Sequence, residues 1–410
     1  MKKTKSTLSF LLVVILALSV FTLTPVSASA KGVEKNAKLK IWVPDKEVSK
    51  AKKIAKKFVK KYKSKKIKIK VKCQSEADAG TFLLADPASA ADVANITADQ
   101  IYNLTRAKVI SPIKKPKSIK KSELKGAVSA FTVNKKLYAV PKSCFSYCLV
   151  YDKNVVSSSS AKTLEGVLKA CKDKNKKFMM DSGNGYYNCI FLFTGGLRLT
   201  GIDSDGITQK FNKYDINKLT KTLKSFSKLF HKYKNVFSLA SASEALFSLG
   251  KGKAGAVIDG LWDYKPLKKS LGKRFGAAKL PTISVDGKKV QPVNFFSYTG
   301  YGVNKYSKYP NAAQAFAKFI GKKAYQKQRV SLNYIPTNKK LLKTKTVKKN
   351  VMMKALINQQ KHSVPQSKIS SYFWDPVGNL GNKITDKNIN PDTYNYQALI
   401  KITLEHIKEG

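Results

Sequence analysis

The run from Lys38 to Cys73 leaves the chain little freedom in how to fold. Leu39 and Ile41 alternate with Lys38 and Lys40, the period-two pattern of a strand with one buried face. Pro44 ends that strand, because it has no N–H for the ladder and restricts the residue before it. Val48, Ala51, Ile54, Ala55, Phe58, Val59 and Tyr62 then recur at helical spacing over Val48 to Lys65, with lysines opposite. Ile67, Ile69, Val71 and Cys73 alternate with Lys68, Lys70 and Lys72, as in a strand at or near a sheet edge. Strand, helix and strand in that order make a βαβ unit, and the fold class is α/β. Ligands of open α/β sheets bind beyond the carboxyl ends of the strands. Asp45 and Lys46 fall there, an anion and a cation at the rim of a cleft. A short strand around Asp92 to Ile96 precedes Asp99 and a helix from Ile101 to Ala107. Asp99 therefore repeats the placing of Asp45, either as a second rim carboxylate or as a cap for that helix. Trp42 lies mid-strand and reads as core packing.

At 410 residues and 43% hydrophobic composition, the chain can build two domains with substantial cores. Residues 1–30 stand apart from them. Lys2, Lys3 and Lys5, the apolar run Leu8 to Leu23 and the small residues Ala28-Ser29-Ala30 make a secretory signal peptide, with no Cys at the cleavage point for a lipid. Removing its three lysines takes the net charge from +53 to +50. Only Arg106, Arg198, Arg274 and Arg329 are arginines, so the basicity is almost all lysine, a point charge rather than a bidentate fork. A solvated lysine surface is the simplest account. The sharper alternative is a cell-surface protein that binds anionic polymer through those lysines, and nucleic acid finds no recognition motif here. Five cysteines (Cys73, Cys144, Cys148, Cys171 and Cys189) are expected as small buried hydrophobes. Cys144 and Cys148, placed on one face of one strand, would be too far apart to pair. His231, His362 and His406 are scattered, with no nucleophile arrangement, zinc spacing or cofactor motif beside them. Asp45 and Asp99 would lie on the same side of a ligand, unlike the flanking pair a glycosidase needs. No enzyme is expected, and neither a catalytic residue, a metal nor a cofactor.

Later motifs carry a resemblance. Ala130 to Pro141 reads as a hairpin turning at Asn134-Lys135, and Phe145 to Tyr151 as an apolar strand closed by Asp152-Lys153. Lys136-Leu-Tyr-Ala-Val-Pro141 followed by Leu149-Val-Tyr-Asp-Lys153 resembles the hinge entry of the family 1 extracellular solute-binding proteins, the group of the maltose/maltodextrin-binding proteins of ABC importers. Tyr186-Tyr187 before Gly195-Gly196 is similar to the family's aromatic loop. Glu244 to Trp262 resembles its acidic helix, Gly-Lys turn, buried strand and Gly-x-Trp; Asn311 to Lys322, its Pro-Asn-Ala-Ala helix. Val364-Pro365-Gln366 and Tyr372-Phe-Trp-Asp-Pro376 resemble its second tryptophan segment, an otherwise exposed stretch.

The resemblance implies a type II periplasmic-binding-protein fold, two α/β lobes around a ligand cleft. The first lobe would be 31–143 and 294–335, the second 144–293 and 336–410. Hinge crossings are expected near Cys144–Ser146, Asn294–Ser297 and Tyr334–Asn338. It implies a monomeric receptor that closes on an oligosaccharide and docks on a membrane permease. Asp45, Lys46 and Asp99 would read sugar hydroxyls from one lobe. Tyr186, Trp262 and Trp374 would stack on sugar rings from the other. The sequence departs from the maltose pattern where Ile96, Gln100, Phe145 and Asn184 replace a tryptophan, an arginine and two glutamates. Gln100, Phe145 and Asn184 are thus possible ligand contacts of altered polarity. The changes suit a longer, less polar or an acidic oligosaccharide, with Lys46 and Lys142 the cations available to an acidic one.

Overall fold

The computed structural model describes residues 32–203, 207–367 and 369–409, so residues 1–30, expected to be a signal peptide, lie outside the described residues. The opening strand Lys38–Val43 pairs in parallel with Lys68–Cys73 on one side and Val93–Thr97 on the other. Its helix runs Val48–Lys61, shorter than the pattern suggested. A single 3-10 turn over Lys63–Lys65 and a left-handed Lys66 reverse the chain before the next strand. Phe58 anchors the helix, its ring edge-on to Phe316 at 5.2 Å and Phe319 at 5.3 Å. The first sheet runs Ile335–Pro336, Ala139–Phe145, Asn294–Asn304, Val93–Thr97, Lys38–Val43, Lys68–Cys73, with Lys68–Cys73 at the edge. The hairpin between Thr132–Val133 and Lys136–Leu137 turns where expected, Asn134 and Lys135 both having positive φ.

A second sheet runs Phe237–Leu239, Lys177–Met180, Ala254–Gly260, Tyr147–Asp152, Phe275–Ala278. Its first three strands are parallel and its last two pairings antiparallel. The chain passes between sheets at Ser146, which separates Ala139–Phe145 from Tyr147–Asp152. This break corrects the reading of Cys144 and Cys148, which sit on two strands of two different sheets. All five cysteines are free; four are buried, but Cys73 is exposed because it closes an edge strand with one wet face.

The return passage lies beside the first. The Ser146 hydroxyl donates to the Phe295 carbonyl at 2.6 Å, and the Asn294 amide donates to Ser146 Oγ at 2.9 Å and to the Tyr147 carbonyl at 3.2 Å. Residues 335–338 remain with the first sheet. Ile335 and Pro336 pair with Cys144 and Ser143, while Thr337 and Asn338 donate to the buried Glu123 carboxylate at 2.7 and 3.1 Å. The chain crosses after them, before the helix Val351–Gln360 packs against Phe275–Ala278. Ser363–Pro365 then runs parallel to Asn294–Phe296 at the waist. No described helix is long and apolar enough to cross a membrane.

Candidate functional site

Strand carboxyl ends from both sheets meet at one face, and the side chains beyond them differ in kind. In the first lobe Pro44 releases the chain into a 3-10 turn, Asp45–Glu47, that leaves Asp45 and Lys46 exposed. Asp99 occupies the same position after Val93–Thr97, in the turn Ala98–Gln100. It makes no cap for the helix Ile101–Arg106, so the capping alternative falls. Half-buried, its carboxyl is pushed above the usual range by desolvation, with the Thr97 hydroxyl opposing. Gln100 turns away from the cleft, its amide donating to the Glu76 carbonyl at 3.1 Å and to that of Ala77.

The second lobe answers with rings. Asn184 caps the helix Gly185–Thr194 by accepting from the Tyr186 N–H at 2.9 Å, which fixes Tyr186 at the helix start. The Tyr186 ring lies 5.2 Å from Tyr147, 6.2 Å from Trp262 and 6.5 Å from Phe295, nearly parallel to the last. Burial of its hydroxyl raises its pKa against the opposing Ser297 hydroxyl, and Cys189 and then the Asp99 carboxylate across the cleft raise it further. Trp262 follows the buried strand Ala254–Gly260 and folds its ring over Gly260, where a Cβ would come within 2.1 Å of it. The ring remains 37% exposed, with Phe145 edge-on at 6.2 Å. Trp374 is not in a loop: it is the first residue of the helix Trp374–Ile384, half-buried and 5.9 Å from Phe295. Phe295, itself fully buried, thus joins Tyr186 to Trp374 beneath the surface, and of these four rings only those of Trp262, Tyr186 and Trp374 keep any exposure.

The profile of the bacterial extracellular solute-binding proteins matches residues 53–355. The chain belongs to that family. The galactooligosaccharide-binding protein of Bacillus subtilis (strain 168) is 25% identical over 398 residues, covering 92% of this chain and 91% of the relative. The maltodextrin binding protein MalE1 from L. casei BL23, solved without ligand, superposes with a TM-score of 0.80 at 27% identity, over 92% of this chain and all (100%) of that one. A cyclo/maltodextrin-binding protein complexed with maltotetraose shares the fold, with a TM-score of 0.75 at 22% identity over 93% of this chain and 98% of that one.

Two features of this solute-binding protein escaped the sequence reading. Lys142 is fully buried, at 0% exposure, and cannot face a ligand. It donates to Glu47 at 2.5 Å, while Arg329 donates to the other Glu47 oxygen at 2.7 Å. The Tyr301 hydroxyl donates to Glu47 at 3.3 Å, and Lys46 and Lys142 lie over the Tyr334 ring at 4.6 and 4.8 Å. Burial alone would raise the Glu47 pKa, but the two cations outweigh it and hold it at about 2. Lys142 is lowered by the same burial against the pull of Glu47. The second feature is a carboxyl pair beside Trp262. Asp259 is buried at the strand end, and burial and then the Asp263 charge push it well above the usual range. Asp263 is also raised by burial, with Asp259 and then Lys46 of the opposite lobe pulling it back. The acid flanking Gly260-Leu-Trp was visible in the sequence, but its burial was not.

Proposed function

We propose that this protein captures a neutral oligosaccharide between its two lobes and delivers it to an ABC importer permease. The carrying observation is the ring set Trp262, Tyr186 and Trp374, backed by the buried Phe295, with Asp99 of the other lobe close to Tyr186 and Lys46 close to Asp263. Flat rings suit the C–H faces of pyranoses, and carboxylates accept from hydroxyls at the sugar edges. Asp99, desolvated with few partners, gains most from a hydroxyl donor. Phe145 beside Trp262 lengthens the apolar surface where the maltose pattern carries an acid. With Lys142 locked to Glu47, an acidic sugar loses one of its two candidate cations. A neutral glycan is therefore favoured, and the relatives' names point to the same class.

The lobes in this reading are 32–145 with 294 to about 340, and the remainder. A ligand touching both binds the closed form better, and that difference in affinity drives closure. The test is calorimetry with maltotetraose and with a galactooligosaccharide. The parent binds at least one of them. Trp262→Ala combined with Trp374→Ala abolishes binding while circular dichroism stays native; retained affinity in the double variant refutes the site. Binding also survives roughly half-molar salt, which would strip a contact made only by surface lysines.

A further inference from the structure

On the outer side of the first lobe lies a concavity of about 640 Å³, walled by Lys121, Lys318, Lys322, Lys323, Lys339 and Lys340. The two segments that build it, 114–125 and 318–340, hold twelve lysines and a single acid, Glu123. That acid is spent inward. One oxygen accepts from Thr337 at 2.7 Å and Gln326 at 3.1 Å, the other from Ser122 at 3.0 Å and Asn338 at 3.1 Å. Lys339 and Lys318 reach only neutral carbonyls, those of Lys121 and Lys114, at 3.0 and 3.2 Å. Among the described residues none of the six wall lysines is in an ion pair. Every surface ion pair there belongs to the second lobe. Burial lowers the Lys318 pKa, and the neighbouring Lys115 and Lys114 lower it further.

Like charges gathered in a hollow repel one another and focus a positive field into it. A partner that brings several anions at once relieves that repulsion and displaces condensed counterions. We propose that this hollow is a docking site for a linear polyphosphodiester, with one negative charge per repeat, at the cell surface. Six lysines and no arginine line the hollow, which favours that chemistry, since point charges match singly charged diesters and lack the fork that selects phosphate monoesters or carboxylates. The site is separate from the sugar cleft and holds the receptor near the surface whatever the cleft binds.

The experiment titrates the whole mature protein with poly(glycerol phosphate) at several salt concentrations. One variant changes Lys121, Lys322, Lys323 and Lys340 to Gln; a control changes the exposed second-lobe lysines Lys172, Lys174, Lys234 and Lys253 to Gln. The hollow variant is expected to lose about ten-fold or more in affinity, with the log–log salt slope shallower by roughly three. The control loses less than about three-fold, and both keep the parent's circular dichroism and melting temperature. Equal losses in the two variants overturn the proposal, because the contact would then be diffuse charge. Tighter binding of inorganic phosphate or of poly-glutamate than of the diester polymer overturns it as well.

Discussion

Asp259 occupies a position where a carboxylate is costly. It closes a buried strand, accepts from the Gly260 N–H at 2.6 Å and faces Asp263. Its folded pKa stands well above the ordinary 3.8, so between the two values folding takes up a proton, and the cost grows as pH rises above about 4. Asp259→Asn keeps an acceptor for Gly260 and removes the ionisation. The variant is expected to unfold at a higher temperature than the parent at pH 7, with the difference vanishing near pH 4, in melting curves followed by circular dichroism. Glu47 behaves oppositely. Its pKa falls from 4.5 to about 2, worth roughly 3 kcal/mol of stability that is complete above pH 4.5 and lost as pH drops toward 2. Glu47→Gln leaves Lys142 and Arg329 buried without their counter-charge. It should cost about 3–5 kcal/mol at pH 7 in denaturant titration and flatten the acid limb of the stability profile.

Helices position the stacking rings, and glycines set how closely the helices approach. Gly185–Thr194 lies against Trp374–Ile384 through small residues on both. A Cβ on Gly185 would come within 2.2 Å of the Trp374 carbonyl oxygen, one on Gly378 within 2.5 Å of the Gly183 oxygen, and one on Gly381 within 1.9 Å of the Asn188 amide. Two of these obstacles are backbone, which cannot rotate away. Gly378→Ala should therefore push the helices apart at a cost of about 1–3 kcal/mol. Because Tyr186 and Trp374 start the two helices, the same change should weaken sugar binding by calorimetry more than Gly201→Ala would weaken it, Gly201 lying in open space without a positive φ. The element pattern was largely readable. Alternation and helical spacing located the βαβ unit, the hairpin at Asn134-Lys135 and the strand before Trp262. The same patterns left Trp374 in an exposed stretch with no helix assigned, because Pro376 and the neighbouring serines mark a turn as well as they mark the first turn of a helix.

The waist of the molecule ties its motion to its cleft. Ser146, Asn294, Gln359 and Ser363 share hydrogen bonds where the chain passes between the lobes, so these strands bend together rather than separately. Ligand binding is expected to shrink the radius of gyration measured by solution X-ray scattering, and to raise the melting temperature with ligand concentration. The Trp262→Ala and Trp374→Ala double variant should show neither response. The polybasic hollow lies on helix ends of the first lobe, with Lys339 and Lys340 next to the third crossing and Lys339 also near Ser363; neutralising Lys121, Lys322 and Lys323, which lie outside the crossings, should leave closure intact.

The order of strands and helices, the α/β class and the rim positions of Asp45, Lys46 and Asp99 follow from local patterns, since periodicity and Pro44 act within a few residues. Which lysine is buried does not. Lys142 looks like dozens of others in the chain, and only the meeting of Glu47, Tyr301 and Arg329 around it, contributed from across the first lobe, makes its burial tolerable. Likewise Phe295 reads as one apolar residue in a long strand, yet it joins Tyr186 to Trp374 because two other elements deliver their rings to it. Local chemistry set the parts and their sequence. Long-range packing chose which charges were desolvated and which rings faced the cleft, because desolvation depends on every neighbour at once.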